Sequence, residues 1–298
     1  MVFARKVEAL VTIAVVSTTV LCITNVELKM SVRDVSRMAS RVDKAAARAS
    51  ANDTGGYVLV LGDSRDWYAW SEWCVLRKYR VSRVCTDFPA FQTCSEYEHT
   101  DLVCMNRENV PIVVMWMMYG VALTQPYHYK YNTTHAIPNV PANSLERVKF
   151  LLELNQKLFS EAPALVTFAS NAWDVERSKQ VTDSWDVEKW LQNATTLISQ
   201  LRLLGNDQIV LVTSQRVNNF PDDCDELNAA MEKLSQRVKL PLANVSACLN
   251  GLPNSYKLRD SLHPATIAGI HMVDCILSEA SKAYGKSLLA TFESICDK

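Results

Sequence analysis

The chain has 298 residues, of which 48% are hydrophobic and 21% are charged, and its formal net charge is −1. This composition is typical of a globular protein with enough apolar residues for a sizeable core. The balanced charge, together with the lack of a basic patch interleaved with aromatic residues, argues against nucleic-acid binding. We therefore expect no nucleic acid among its partners.

An uncharged apolar segment near the N-terminus, residues 9–26, follows Arg5 and Lys6. Its length is close to the lower limit for a membrane span, and no small-residue cleavage site follows it. We expect a transmembrane signal anchor over residues 9–26, with residues 1–8 as a cytoplasmic tail. A cleaved signal peptide is the alternative. Under the positive-inside rule, the basic residues after the segment disagree with an orientation in which residues 1–8 are cytoplasmic. Four basic residues follow the segment: Lys29, Arg33, Arg37 and Arg41.

The cysteines and the glycosylation sequons favour the secretory pathway. One of the nine cysteines, Cys22, lies in the apolar segment, and the other eight show neither a CxxC pair nor zinc-site spacing. An even set of this kind indicates disulfides of undetermined pairing, with free thiols in a cytosolic protein as the alternative. The eight are Cys74, Cys85, Cys94, Cys104, Cys224, Cys248, Cys275 and Cys296. The sequons start at Asn52, Asn132, Asn193 and Asn244.

These features predict a single-pass type II membrane glycoprotein of the ER or Golgi lumen or the cell surface, held in the membrane through residues 9–26. A secreted protein is the alternative. Residues 27–54 have one narrow apolar stripe at helical spacing and end in a Gly-containing stretch, so we expect a stalk and linker there. The folded domain is predicted over residues 55–298.

Within this domain, apolar strand candidates alternate with helical candidates. Strands are predicted at 57–62, about 82–86, 111–118, 164–169, 208–213 and 240–245. Helices are predicted at 66–79, 144–160, 185–204, 225–238 and 265–284. Residues 86–110 are predicted to be irregular. This alternation predicts an α/β fold with three layers, α/β/α, around a mostly parallel central sheet.

The first candidate motif is Gly62-Asp63-Ser64, which ends an unbroken apolar run and precedes a helix candidate. A serine there lies at the carboxyl end of a buried strand, the edge at which open α/β sheets bind ligands. The following helix start directs backbone N–H groups toward developing negative charge. We therefore predict that Ser64 is a nucleophile, and that Asp63 serves the turn. Plain turn or N-cap chemistry is the alternative for both residues.

The second candidate motif pairs Asp260 with His263, three residues apart, just before a helix that Pro264 can open. A histidine in this position can accept the proton of a serine while the acid orients its other ring nitrogen. The alternatives are a capping role for Asp260 and a surface position for His263.

Together, Gly62-Asp63-Ser64 and Asp260-Ser261-Leu262-His263 resemble the first and last sequence blocks of the SGNH, or GDSL, hydrolase superfamily. The resemblance implies the flavodoxin-like fold of that superfamily and a catalytic triad of Ser64, His263 and Asp260. It implies no metal and no organic cofactor. It further implies an oxyanion hole formed by the backbone of Ser64, by Gly120 after the strand at 111–118, and by Asn171 after the strand at 164–169. Ser170 and Asp174 are the alternatives for the position of Asn171.

The stretch Ser170-Asn171-Ala172-Trp173-Asp174 is similar to the Ser-X-X-Trp-Asp block of the PC-esterase-like branch. This likeness implies a serine-type esterase that removes an O-acyl group, with O-acetyl favoured, from a glycan or another acylated small molecule. We expect Tyr119, Tyr127 and Trp173 to contact the substrate. The alternatives are an O-acyltransferase using the same acyl-serine and a non-catalytic binding module on the same fold. The sequence does not specify an oligomeric state.

Overall fold

The computed structural model describes most of the predicted folded domain. The described residues are 56–83, 101–117, 149, 152, 153, 155, 158, 159, 162–169, 174, 175, 185–203, 205–218, 221–260 and 262–285. They all fall within the larger of the two units into which the chain divides, residues 51–298. The predicted anchor, tail and stalk lie outside the described residues. None of the described helices is long and apolar enough to cross a lipid bilayer.

A central sheet built from seven described strands organises the domain. The strands are β1 (Val58–Gly62), β2 (Arg80–Ser82), β3 (Asp101–Met105), β4 (Pro111–Met117), β5 (Leu165–Ala169), β6 (Ile209–Val212) and β7 (Leu242–Ala243). Their order across the sheet is β2-β3-β4-β1-β5-β6-β7. The strands from β4 to β7 in this order are parallel, whereas β2 and β3 are antiparallel to their neighbours. The sheet is therefore mostly parallel, with β1 at its centre.

Helices cover both faces of this sheet. They are α1 (Ser64–Leu76), α2 (Val187–Leu203), α3 (Pro221–Val238), α4 (Val245–Leu249) and α5 (Thr266–Tyr284), with a short 3₁₀ helix at Asn254–Tyr256. Helical backbone also occurs at residues 149, 152, 153, 155 and 158, inside the predicted helix 144–160.

The alternation of side chains along β3 separates the two faces. Val103 and Met105 belong to one buried cluster with Trp190 of α2 and Leu227 of α3. Cys104 points to the opposite face, because neighbouring side chains of a strand alternate. There it forms a disulfide with Cys74 of α1, and α1 packs along α5. The helices thus form two layers around the sheet, which confirms the predicted α/β/α architecture.

Close packing of α1 against α5 depends on Gly269. A Cβ atom at this position would lie 3.0 Å from Cα of Ala69, which is tighter than nine in ten real Cβ contacts. The two helix backbones can therefore approach each other only because both positions carry small residues. Since α1 begins at Ser64 and α5 begins just after His263, this contact also sets the relative positions of the two sequence motifs.

The structure differs from the sequence expectations in the region of β2 and β3. The predicted second strand lies earlier, at Arg80–Ser82, and the stretch expected to be irregular contains β3. A tight turn pairs β3 with β4, since the Asn106 side chain accepts hydrogen bonds from the backbone N–H groups of Glu108 and Val110 at 2.9 and 2.8 Å. Strand β3 is short and forms through this hairpin, so its own sequence carries little of the signal.

The cysteines also depart from the expected even set. Two disulfides join described residues, Cys74–Cys104 and Cys248–Cys275. Cys224 of α3 is buried with a free thiol, so the expectation of eight paired cysteines is wrong at this position. Its sulfur faces Ser214 and Arg65, at 3.9 and 4.0 Å. The remaining cysteines of the set, Cys85, Cys94 and Cys296, lie outside the described residues.

Candidate active site

Ser64 is the first residue of α1 and directly follows β1 and the N-cap residue Asp63. The Asp63 side chain accepts a hydrogen bond from the backbone N–H of Arg65 at 2.7 Å, and Asp66 accepts one from the backbone N–H of Asp63 at 2.9 Å. These two contacts form a capping box, which confirms the turn role expected for Asp63. At the first helical position, the Ser64 N–H has no intrahelical acceptor. Both its hydroxyl and its N–H are thus available at the carboxyl end of β1.

The structure brings Ser64, His263 and Asp260 together, although 199 positions separate the serine from the histidine. His263 Nε2 lies 3.1 Å from Ser64 Oγ, and His263 Nδ1 lies 2.9 Å from Asp260 Oδ2. When Nδ1 carries its proton and donates it to Asp260, Nε2 is left to accept the proton of the serine hydroxyl. The three side chains therefore form a continuous hydrogen-bonded series that can move a proton off Ser64.

The Asp260 carboxylate accepts hydrogen bonds from backbone N–H groups as well as from the imidazole. Its Oδ1 accepts hydrogen bonds from the backbone N–H groups of Leu262 and His263, both at 2.7 Å. Burial acts to raise the pKa of Asp260, but the hydrogen bonds from His263 and Leu262 outweigh it and hold the pKa below its ordinary value. Asp260 is consequently an anion near neutral pH, in a fixed orientation toward the histidine.

A short antiparallel bridge closes the turn that carries this pair. Leu258 pairs with Pro264, and the backbone N–H of Arg259 donates to the carbonyl of His263 at 2.9 Å. One step further out, the N–H of Ala265 donates to the carbonyl of Lys257 at 3.2 Å. The turn is therefore braced at its base, and α5 begins directly after it.

Tyr68 is a site residue that the sequence analysis did not identify. Its ring centroid lies 4.6 Å from that of the His263 imidazole, and the guanidinium of Arg259 lies 4.9 Å from the same tyrosine ring. Tyr68 follows Ser64 by four residues, so both project from one face of α1. This i, i+4 relation is the signal that could have marked it. Tyr68 limits the rotation of the imidazole that faces Ser64.

A buried ion pair lies beneath the nucleophile turn. Arg65 is only 4% exposed and bonds the Asp63 carboxylate through Nη2 and Nε, at 2.5 and 2.9 Å. Burial acts to lower the pKa of Arg65, but the charge and hydrogen bonds of Asp63 outweigh it, so the net shift is upward. Arg65 therefore stays charged inside the domain, because the Asp63 carboxylate compensates its charge.

Arg65 also connects the nucleophile turn to the turn that carries the histidine. Its Nη1 donates to Ser214 Oγ at 2.6 Å, just beyond the end of β6. The next residue, Gln215, donates through Nε2 to the carbonyl of Lys257 at 2.8 Å. Lys257 stands at the base of the turn that holds Asp260. A series of buried polar contacts therefore fixes one motif relative to the other.

The glycine of the first motif is required by the capping box. A Cβ atom on Gly62 would lie 2.7 Å from Cγ of Asp66. We expect Gly62→Ala to displace the Asp66 side chain, to break the capping box, and to lower the free energy of unfolding by about 1–2 kcal/mol. Urea denaturation would measure this. Gly251→Ala is the matched control, because nothing lies within 4 Å of a Cβ there. Equal stability of the two variants would contradict the expectation.

Asp66 should make the stability of the domain depend on pH. Burial, and next the nearby charge of Asp63, raise the pKa of Asp66 from its ordinary 3.8 to about 7. The folded state then binds this proton more tightly than the unfolded state, so the stabilisation present at low pH is lost as the pH rises through about 7. We expect the free energy of unfolding to fall between pH 5 and pH 8 by more in the wild type than in Asp66→Asn. An equal pH dependence of unfolding in both proteins would refute this.

The other predicted site residues lie outside the described residues, and their roles stay predictions. They are Gly120 and Asn171 for the oxyanion hole and Tyr119, Tyr127 and Trp173 for substrate contact. Asp174, next in sequence to Trp173, is described and 3% exposed. It accepts a hydrogen bond from the indole N–H of Trp190 at 3.4 Å.

Comparison with known proteins gave structural similarity only. No protein-family model matches the sequence, and no curated protein matches it either. Among solved structures, the esterase EstA from Pseudoalteromonas sp. has a TM-score of 0.46 at 16% identity, covering 78% of this chain and 100% of that chain. An acetylxylan esterase from Geobacillus stearothermophilus has a TM-score of 0.43 at 13% identity, covering 76% of this chain and 94% of that chain. An α/β hydrolase from the Lake Arreo metagenome in Spain has a TM-score of 0.45 at 13% identity, covering 77% of this chain and 97% of that chain. The assignment of an activity therefore rests on the geometry of this chain's own site.

Proposed function

We propose that the chain is a serine-type ester hydrolase with Ser64 as nucleophile, His263 as general base and acid, and Asp260 as the orienting carboxylate. The observation that carries this proposal is the continuous hydrogen-bonded series from Asp260 through His263 to Ser64 Oγ. The position of Ser64 also supports the proposal, because Ser64 lies at the carboxyl end of the central strand β1, where α/β folds bind ligands.

In the proposed reaction, Ser64 Oγ attacks the acyl carbon while its proton passes to His263 Nε2. The imidazolium then gives this proton to the departing alcohol, which leaves an acyl-serine. A water molecule next donates its proton to Nε2 and attacks the acyl carbon, so that the acid is released and the serine restored. The Ser64 N–H would stabilise the oxyanion together with Gly120 and Asn171, each donor contributing about 3 kcal/mol.

We further propose that the substrate is an O-acetyl ester of a carbohydrate. This part rests on the similarity of residues 170–174 to the PC-esterase-like branch.

A fluorophosphonate probe tests the nucleophile directly. We expect the probe to form a covalent adduct on the peptide that contains Ser64, and p-nitrophenyl acetate turnover to fall as the adduct forms. Ser199→Ala is the matched control for Ser64→Ala, because Ser199 is an exposed helical serine whose hydroxyl donates to the carbonyl of Thr195 in its own helix. Equal labelling of Ser64→Ala and Ser199→Ala would refute the assignment.

We also propose the secretory pathway as the location, with residues 9–26 as the membrane anchor. The disulfides Cys74–Cys104 and Cys248–Cys275 support this, because such bonds persist in oxidising compartments. Non-reducing peptide mapping of protein from eukaryotic cells should recover both linked peptides. Recovery of these four cysteines as free thiols would contradict the proposed location.

A further inference from the structure

A polar cleft of about 1030 Å³ adjoins the candidate active site and has Asp260 in its lining. Four segments line it: residues 215–218 after β6, residues 244–250 around α4, residues 254–260 leading to the histidine turn, and residues 221–228 at the start of α3. The first two segments follow parallel strands of the sheet. The cleft therefore opens at the same edge of the sheet as Ser64.

The lining is rich in uncharged hydrogen-bonding groups. Four asparagines contribute to it besides the sequon residue Asn244: Asn218, Asn228, Asn250 and Asn254. Its three basic and two acidic side chains nearly balance in charge, and one pair of them, Arg216 with Asp225, is joined at 3.3 Å. Carboxamides both donate and accept hydrogen bonds, as sugar hydroxyls do. The cleft thus matches a hydroxyl-rich ligand better than a strongly charged or an apolar one.

The inner part of this lining is held rigidly. Asn228 accepts a hydrogen bond from the N–H of Ser214 at 2.7 Å and donates to its carbonyl at 2.9 Å. Ser246 Oγ donates to the same carbonyl at 3.1 Å, and Gln215 is bonded to Lys257. A polar surface fixed in this way loses little entropy when it binds a ligand.

The outer part of the cleft lining carries exposed polar side chains. The carboxamides of Asn250 and Asn254 are exposed and make no hydrogen bond to other residues in the part of the chain that the structure describes. The ammonium group of Lys257 likewise forms no ion pair there. These groups can contact a ligand without first breaking contacts within the protein.

The distance between the cleft and Ser64 corresponds to the length of an extended substrate. Neighbouring strands of a sheet are about 4.8 Å apart, so β6 and β7 lie about 10 and 14 Å from β1. This distance exceeds a single acetyl ester and suits an oligosaccharide whose acetylated sugar reaches Ser64. We infer that the cleft is a binding subsite for the oligosaccharide part of the substrate, an inference that rests on the proposed esterase function for its link to Ser64.

Calorimetry on the full chain tests the subsite without relying on catalysis. The Ser64→Ala protein would be titrated with xylotriose and with N,N′,N″-triacetylchitotriose. We expect at least one of these trisaccharides to bind, and the added pair Asn250→Ala and Asn254→Ala to weaken its Kd at least tenfold. Gln192→Ala is the matched control, since Gln192 is an exposed residue of α2 that is not part of the cleft lining.

The inference is overturned if neither trisaccharide binds, or if the asparagine pair weakens binding no more than Gln192→Ala does. Turnover of p-nitrophenyl acetate by the wild-type chain is measured in the same series and tests the proposed function separately, because this ester contains no sugar. Binding without turnover would keep the subsite and reject the esterase. Turnover without binding would keep the esterase and reject the subsite.

Discussion

The double variant Ser64→Ala/His263→Ala is expected to lose no more activity than either single variant. Each single variant should lower kcat for p-nitrophenyl acetate by about 10⁴-fold or more. The reason is that Ser64 and His263 act as one unit across a 3.1 Å hydrogen bond, so that removing either group removes the proton transfer. Initial rates of the four proteins, with circular dichroism to verify folding, would measure this.

Ser199→Ala again serves as the control and should retain wild-type kcat. Losses that multiply in the double variant would indicate that Ser64 and His263 act independently, which would contradict the proposed mechanism. Residual activity close to wild type in both single variants would mean that the reactive site lies elsewhere in the chain. Asp260→Asn extends the series, because it keeps the shape of the side chain but removes the charge that fixes the imidazole tautomer.

The variant Arg65→Met is expected to lower the free energy of unfolding by about 3–5 kcal/mol. It would leave the Asp63 carboxylate, which is 3% exposed, without its ionic partner in the interior. The variant would also remove the contact to Ser214, and with it the connection between the nucleophile turn and the histidine turn. We therefore expect the fraction that remains folded to show a lower kcat. Urea denaturation and rate measurements on the same samples would test both effects.

Arg237→Met is the matched control for Arg65→Met. Arg237 pairs with Glu188 at a similar distance of 3.0 Å, but both side chains are largely exposed. Removing an exposed pair of this kind costs about 0–1 kcal/mol. If the two variants were equally stable, the buried ion pair would not hold the nucleophile turn. Ser214→Ala removes the 2.6 Å contact to Arg65 without unpairing a charge, so it separates the effect on rate from the effect on stability.

Much of the architecture was predictable from the residue pattern. The apolar run before Gly62 and those that become β4, β5 and β6 are long enough to mark buried strands. The helix starts were predicted less well. Helix α1 begins at Ser64 because Asp63 caps it, and α3 begins at Pro221, a residue suited to the first helical position. Capping contacts of this kind set the boundaries that periodicity leaves open.

The two motifs, their candidate chemistry and the α/β class could be predicted from the residues alone, because these depend on short-range pattern and residue type. Long-range packing brings the distant groups together: His263 with Ser64, Tyr68 with the imidazole, and Arg65 with Ser214. It also left Cys224 unpaired, formed β3 through its hairpin with β4, and opened the cleft beside Asp260. Each of these outcomes depends on contacts between segments far apart in the chain, and the local sequence of either segment does not specify its partner.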